Sequence, residues 1–141
     1  MEKERAGIQS VEVGFSLVEA LAQASGPLML KDVAAAAGMA VLDTIRSEGL
    51  QDNAREVGAY LRKRIVELAE AHPLIGDVRG HGLMLGAELV HADNSPASAE
   101  TDLILEELKN RGILIGKNGP DRNVLAFQPP LVINEADIDH L

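Results

Sequence analysis

The stretch HPLIGDVRGHGLMLGAELV, residues 72–90, divides the chain into a helical part and a part that contains strands. Upstream of Pro73, apolar residues recur at steps of three and four, which is typical of amphipathic helices. The glycine-rich stretch 76–82 predicts a turn, and Leu83–Val90 then indicates a strand. Gly86 inside that strand indicates a bulge or a close backbone approach.

The remaining elements follow from the same signals. Predicted helices span 10–24, 31–37, 40–48, 50–72 and 97–110, and further strands span 113–116 and 124–128. Gly38 is expected to turn the chain between two helices, although its alanine neighbours would let one helix continue at a cost of about 1 kcal/mol. Asn134 is expected to cap a final helix.

This order predicts an α+β fold, in which N-terminal helices precede a small, mainly antiparallel three-stranded sheet with helices packed on one face. A sheet of three strands leaves both of its edges unpaired. An unpaired edge can pair with the edge of a second copy, and self-association would also cover apolar surface, so we expect a homo-oligomer.

Composition limits the classes of protein that the chain can belong to. Its 141 residues suit one domain, and 46% hydrophobic with 25% charged residues is ordinary for a globular protein. The absence of cysteine excludes disulfides and thiol chemistry. No apolar run approaches the roughly 18–20 residues of a membrane span, and residues 1–5 lack a secretory pattern. A cytoplasmic protein without membrane partners is therefore expected.

The charge distribution argues against nucleic acid as a partner. The net charge is −9, with five acids and three bases in residues 1–39 and seventeen acids and ten bases in residues 40–141. Neutralisation of phosphates by basic side chains supplies most non-specific affinity for DNA. An acidic chain lacks this contribution, so nucleic-acid binding is not expected.

The upstream segment nevertheless resembles a DNA-binding family. Residues 8–39, with the turn Gly26-Pro27-Leu28 and with Ala34 four residues before Gly38, are similar to the start of the winged helix-turn-helix domain of IclR-type regulators. The resemblance implies a recognition helix after Gly38. Such a helix needs polar or basic side chains facing the groove, whereas residues 39–48 are apolar and acidic with a single arginine. We therefore predict no DNA-binding residue and expect a helical hairpin that only packs.

The downstream segment resembles a second family. The stretches that carry this similarity are AVLDTI at 40–45, GLQDNA at 49–54, GAYL at 58–61, residues 72–89 and VLAFQPPLVI at 124–133. They resemble the C-terminal small domain of class III pyridoxal-phosphate aminotransferases. The resemblance implies a sheet that lies beside the cofactor domain and helps to shape the substrate cleft. The chain is thus expected to be a chimera of domains 1–39 and 40–141.

The same resemblance implies that the catalytic groups are missing. The family's Schiff-base lysine, the acid beside the pyridinium nitrogen and the phosphate cup belong to its large domain, and none of the five lysines here lies in such a motif. Many members place an arginine for the substrate carboxylate where this chain has Ala126. We predict no catalytic or cofactor-binding residue. Arg79 is the single candidate for the substrate cleft, with an orienting or salt-bridging role.

Other candidate sites are weaker. Stretch 76–82 follows a helix and precedes a strand, whereas a phosphate-binding loop needs the reverse order. The four histidines, His72, His81, His91 and His140, lack metal-ligand spacing, so no metal site is predicted. We expect a self-associating domain that is inactive alone. The alternatives are a fragment that contributes to a pyridoxal-phosphate transaminase and a DNA-binding regulator of the IclR type.

Overall fold

The computed structural model describes residues 14–15, 18–19, 22–23 and 29–141. The chain forms two compact units, Met1–Gln51 and Asp52–Leu141. The predicted helix 10–24 lies mostly outside the described residues, but those of its residues that are described are helical. The predicted turn at Gly26-Pro27 lies wholly outside them.

The first fully described helix, α1, runs without interruption from Leu30 to Ser47. The predicted turn at Gly38, and with it the division into helices 31–37 and 40–48, is therefore wrong. Alanine has the best helix propensity of all residues, and the alanines on both sides of Gly38 outweigh the cost of one glycine. The helix ends at Ser47 with Glu48 as its C-cap, and Gly49 directly after the cap has a φ of 62°, which suits a residue without a Cβ.

Helix α2 covers Leu50–Ala71, which confirms the predicted helix 50–72. Its buried positions Val57, Leu61 and Ile65 are spaced four residues apart and are at most 7% exposed. They form one stripe along the helix and belong to the hydrophobic core.

The sheet within residues 75–127 has four strands rather than the three expected. They are β1 (Ile75–His81), β2 (Met84–Leu89), β3 (Gly116–Asn118) and β4 (Val124–Phe127), in the antiparallel order β1-β2-β4-β3.

The additional strand is β1, which occupies the stretch that predicts a turn. Only the end of this stretch turns, where Gly80 (φ 137°) and Gly82 (φ 53°) adopt left-handed conformations. Hydrogen bonds to β2 stabilise the extended conformation of β1 despite its glycines. Such pairing with another strand cannot be read from the local sequence pattern. The irregular step in this ladder lies between Ile75 and Asp77, not at Gly86. Gly86 instead makes the predicted close approach, since a Cβ there would lie 3.0 Å from Cγ1 of Val124.

Two further helices complete the second unit. Helix α3 spans Ser98–Asn110 and contacts β2. Helix α4 spans Glu135–Ile138 and begins with a capping box in which Asn134 and Asp137 bond to each other's backbone N–H groups. The predicted cap at Asn134 is thus confirmed.

The hydrophobic core of the second unit lies between one face of the sheet and helices α2, α3 and α4. Along β2, Leu85, Ala87 and Leu89 are at most 4% exposed and alternate with residues of the other face. We call the side of Leu85 the core face and the opposite side the outer face. The structure is α+β with helices packed on a small antiparallel sheet, as predicted. No helix among the described residues is long and apolar enough to cross a membrane.

Candidate functional site

The outer face of the sheet carries two neighbouring rows of residues that cross all four strands. Because side chains alternate along a strand, residues paired across the ladders with Gly86 and Glu88 share this face. The ladder registers place these rows as Asp77–Glu88–Val124–Asn118 and Arg79–Gly86–Ala126–Gly116. With strands about 4.8 Å apart, each row is about 14 Å long.

Arg79, the predicted cleft residue, lies at the β1 end of the second row. Its Nη1 donates hydrogen bonds to Oδ2 of Asp77, at 2.8 Å, and to Oε2 of Glu88. The Arg79 side chain is 52% exposed, so these bonds form in a partly solvated setting. They raise the pKa of the Arg79 guanidinium, with the bond to Asp77 contributing most.

The charge of this cluster decides which ligands it can attract. Arg79 supplies one positive charge, and Asp77 and Glu88 supply two negative ones, which leaves a net charge of −1. A guanidinium already bonded to two carboxylates has little attraction left for a third. The structure shows Arg79 in ion pairs with Asp77 and Glu88, and its place in a substrate cleft stays a prediction.

Ala126 lies in the same row as Arg79, separated from it only by Gly86. It pairs with Gly86 on one side and Gly116 on the other, so two glycines flank its methyl group. Since Gly86 carries no side chain, no Cβ stands between Arg79 and Ala126, which are two strand spacings or about 10 Å apart. The register thus brings together the two positions that the family resemblance assigns to the cleft.

The described lysines do not fit a Schiff-base site for pyridoxal phosphate. Lys63 and Lys109 are 70% and 58% exposed and pair with glutamates of their own helices. Lys31 is exposed on α1. Lys117 is the least exposed, at 13%, but its ammonium group bonds to Asp102 of α3.

Lys117 also lies on the face of the sheet opposite to that of Arg79. Lys117 pairs with Leu125 across the ladder, which places it on the core face. Its hydrogen bond lowers the pKa of the Asp102 carboxyl. An ion-paired ammonium group is not free to condense with an aldehyde, so we derive no cofactor chemistry from these residues.

The four histidines lie at or next to the ends of different elements. His81 ends β1, and His91 follows β2, with its Nε2 3.6 Å from the carboxylate of Glu100. Among the described residues, no three His, Cys, Asp or Glu side chains come together in a way that could hold a metal ion.

Comparison with known proteins identifies the family. The model of the aminotransferase class-III family matches residues 19–141, so the chain belongs to this family. The match confirms the similarity predicted for 40–141 and extends into the upstream segment. The IclR-type assignment of 8–39 and the boundary after residue 39 stay predictions.

The relatives are much longer than this chain. The alanine–glyoxylate aminotransferase 2 homolog 2 of Arabidopsis thaliana, named as mitochondrial, is 49% identical over 111 residues, which cover 77% of this chain and 23% of the relative. The human mitochondrial alanine–glyoxylate aminotransferase 2 is 34% identical over 76% of this chain and 21% of its own length. The chain therefore spans about a quarter of the curated relatives that it matches, and a cytoplasmic location stays a prediction.

Solved structures agree with this assignment. A phospholyase from Arthrobacter in complex with phosphoethanolamine is 38% identical, with a TM-score of 0.72 over 76% of this chain and 26% of its own. The lysine aminotransferase of M. tuberculosis in its internal aldimine form is 34% identical, with a TM-score of 0.64 over 77% of this chain and 23% of its own.

Proposed function

We propose that this chain forms one wall of the substrate cleft of a pyridoxal-phosphate aminotransferase, and that its 141 residues alone do not catalyse transamination. The observation that carries the proposal is the outer-face row in which Arg79, Gly86, Ala126 and Gly116 lie side by side. Three of the four residues in this row have little or no side chain, and the fourth is the cationic Arg79. Such a surface suits the wall of a cleft that a second protein segment completes.

The groups that bind the cofactor come from a separate segment in this proposal. The positions of the four described lysines support it, since each is either largely exposed on a helix or bonded to Asp102 on the core face. Pyridoxal phosphate supplies the amino-transfer chemistry when it is bound there. This chain contributes shape and fixed charge to the substrate side.

Arg79 acts as a positioning residue in this proposal. Its bonds to Asp77 on its own strand and to Glu88 on the next hold β1 and β2 in register at the edge of the row. With alanine at position 126, the row offers no arginine of its own for a substrate carboxylate. The segment that completes the cleft would have to supply that cation.

We also propose that two copies of the chain associate through an edge of the sheet. Strands β1 and β3 lie at the two ends of the strand order, so each presents an unpaired edge within the described sheet. A second copy could pair with either edge. Light scattering of the purified chain at increasing concentration would measure this, and a constant monomer mass would contradict it.

Complementation tests the proposed function. The chain is mixed with the part of the Arabidopsis relative that precedes the matched region, and turnover of alanine and glyoxylate is measured. We expect turnover and an aldimine absorbance band in the mixture and in neither polypeptide alone. The variant Ala126→Glu should reduce turnover at least tenfold, because it places a bulky carboxylate in the row. The matched control Leu103→Glu, at a position 71% exposed on α3, should not.

Two results would contradict the proposal. A mixture of two folded polypeptides that stays inactive would argue against the cleft wall. A borohydride-trapped adduct of pyridoxal phosphate with a specific lysine, together with turnover by the chain alone, would argue against its inactivity.

A further inference from the structure

The segment that follows β4 is bonded to one face of helix α2. Three α2 residues make these bonds, Asn53, Tyr60 and Arg64, and their steps of seven and four place them on the same face of the helix. The Tyr60 hydroxyl donates to Oδ1 of Asp139 at 2.8 Å, and Nε of Arg64 lies 3.6 Å from the same oxygen. These two contacts reach an exposed carboxylate, whereas Asn53 is half-buried and reaches the backbone.

Asn53 makes the contacts that lie nearest along the chain to the row of Arg79 and Ala126. Its side-chain amide donates to two backbone carbonyls, the oxygen of Leu131 at 2.7 Å and that of Ile133 at 3.0 Å. A carbonyl oxygen can only accept, so both bonds need the NH2 group of the amide. One side chain on α2 therefore fixes two carbonyls that lie 78 and 80 positions away along the chain.

The chain between these carbonyls and the row is short and stiff. Four residues separate Ala126 from Leu131, and the last two of them are prolines, whose rings fix the φ angles. The N–H of Ile133 donates to the carbonyl of Pro130 at 3.1 Å and closes a turn. A displacement of the bonded carbonyls is therefore passed on to the end of β4, because the connecting chain has little freedom to absorb it.

We propose that Asn53 is a positioning residue for the cleft wall, because it holds the segment after β4 and thereby sets where Ala126 lies in its row. This inference rests on the proposed function. In that function the wall contributes to the substrate side of the cleft and does not hold the cofactor. The loss of the Asn53 bonds should therefore weaken substrate binding more than it slows the chemical step.

The first test uses the full 141-residue chain alone and needs no activity. Asn53→Asp keeps the size of the side chain but replaces its donors with an oxygen that the two carbonyls repel. We expect the NMR signals of the Ala126 methyl group and the Gln128 amide to move, and the Ile133 amide to exchange about tenfold faster. The matched control Gln51→Glu makes the same change of amide to carboxylate at an exposed position on α2 and should move none of these signals.

The second test repeats both variants in the complementation assay. Asn53→Asp should raise the KM for glyoxylate about threefold or more while kcat stays nearly unchanged, and Gln51→Glu should change neither constant. Asn53→Ala removes the same donors without adding a charge. It takes the place of Asn53→Asp in both tests if that variant does not fold.

Two outcomes would overturn the proposal. In a folded Asn53 variant, signal changes confined to residues 131–139 would show that the bonds hold the segment without positioning Ala126. In an active mixture, a fall in kcat with an unchanged KM would show that Asn53 does not act through the substrate side of the wall. A mixture that is inactive with the unsubstituted chain would contradict the proposed function alone, since the NMR signals of Ala126 still decide whether Asn53 positions this residue.

Discussion

The two faces of the sheet differ in what holds them in place. On the core face, Leu85, Ala87 and Leu89 of β2 are almost fully buried against apolar residues of α2 and its neighbours. On the outer face, Arg79 and Met84 are 52% and 65% exposed and Arg79 forms ion pairs, while Val124 is the one apolar side chain of the two rows that is buried. The difference indicates that the core face carries the stability of the second unit, whereas the outer face is available for a partner and for function.

The largest effect is expected on the core face, from Leu61→Ala. Leu61 is 2% exposed in the middle of α2, so its removal leaves a cavity that the packed surroundings can only partly fill. The free energy of unfolding should fall by about 2–5 kcal/mol. Urea denaturation measures this change. A loss below 1 kcal/mol would show that the core face is not the main source of stability.

The next largest loss of stability is expected from a substitution at Gly58, where α2 packs closely against the turn between β1 and β2. A Cβ on Gly58 would overlap the backbone carbonyl of Gly82, which cannot move as a flexible side chain could. Gly58→Ala should therefore cost about 1–3 kcal/mol, although alanine favours helices. The control is Gly38→Ala, in the exposed middle of α1, which should stabilise the protein slightly. Equal behaviour of the two variants would contradict the close approach.

A smaller effect is expected on the outer face, from Arg79→Ala. Partly exposed ion pairs contribute about 0–1 kcal/mol, so the midpoint of urea denaturation should change little. In the complementation assay, by contrast, turnover should fall clearly, because the proposed cleft wall loses the ion pair that links Arg79 of β1 to Glu88 of β2. A large loss of stability with unchanged turnover would reverse the roles assigned to the two faces.

The smallest effect is expected on the pH dependence of stability, from the ion pair of Lys117 and Asp102 at the edge of the core face. Lys117 lowers the pKa of Asp102, so the pair stabilises the fold above the carboxyl's unfolded pKa of about 3.9 and loses this contribution as the pH falls through the lower folded value. Asp102→Asn and Lys117→Met should both lose less stability between pH 6 and pH 2 than the unsubstituted chain does. Unfolding by urea at the two pH values measures this, and an undiminished loss in both variants would exclude the pair as its source.

The part of the fold that local patterns control could be predicted from the sequence. The stripe Val57–Leu61–Ile65 predicts α2 because its period matches a helix, and Asn134 predicts the start of α4 because its side chain caps its own helix. In the structure the side chains of this stripe are buried, and the Asn134 side chain caps α4.

The predictions that are wrong concern elements whose structure depends on pairing with distant residues or on weak local preferences. Strand β1 contains glycines that favour turns, and only pairing with β2 makes it a strand. At Gly38 the two local signals conflict, and the alanines prevail. The candidate site shows the same limit, since the sequence named Arg79 and Ala126 separately and only the register places them in one row.

The most direct test of the central claim is the absorbance spectrum of pyridoxal phosphate with the chain alone and with the complementing segment, followed by borohydride reduction and peptide mapping. We predict an aldimine band only in the mixture, with the reduced cofactor attached to a lysine of the complementing segment. Attachment to a specific lysine of this chain, with turnover in the absence of the other segment, would contradict the account.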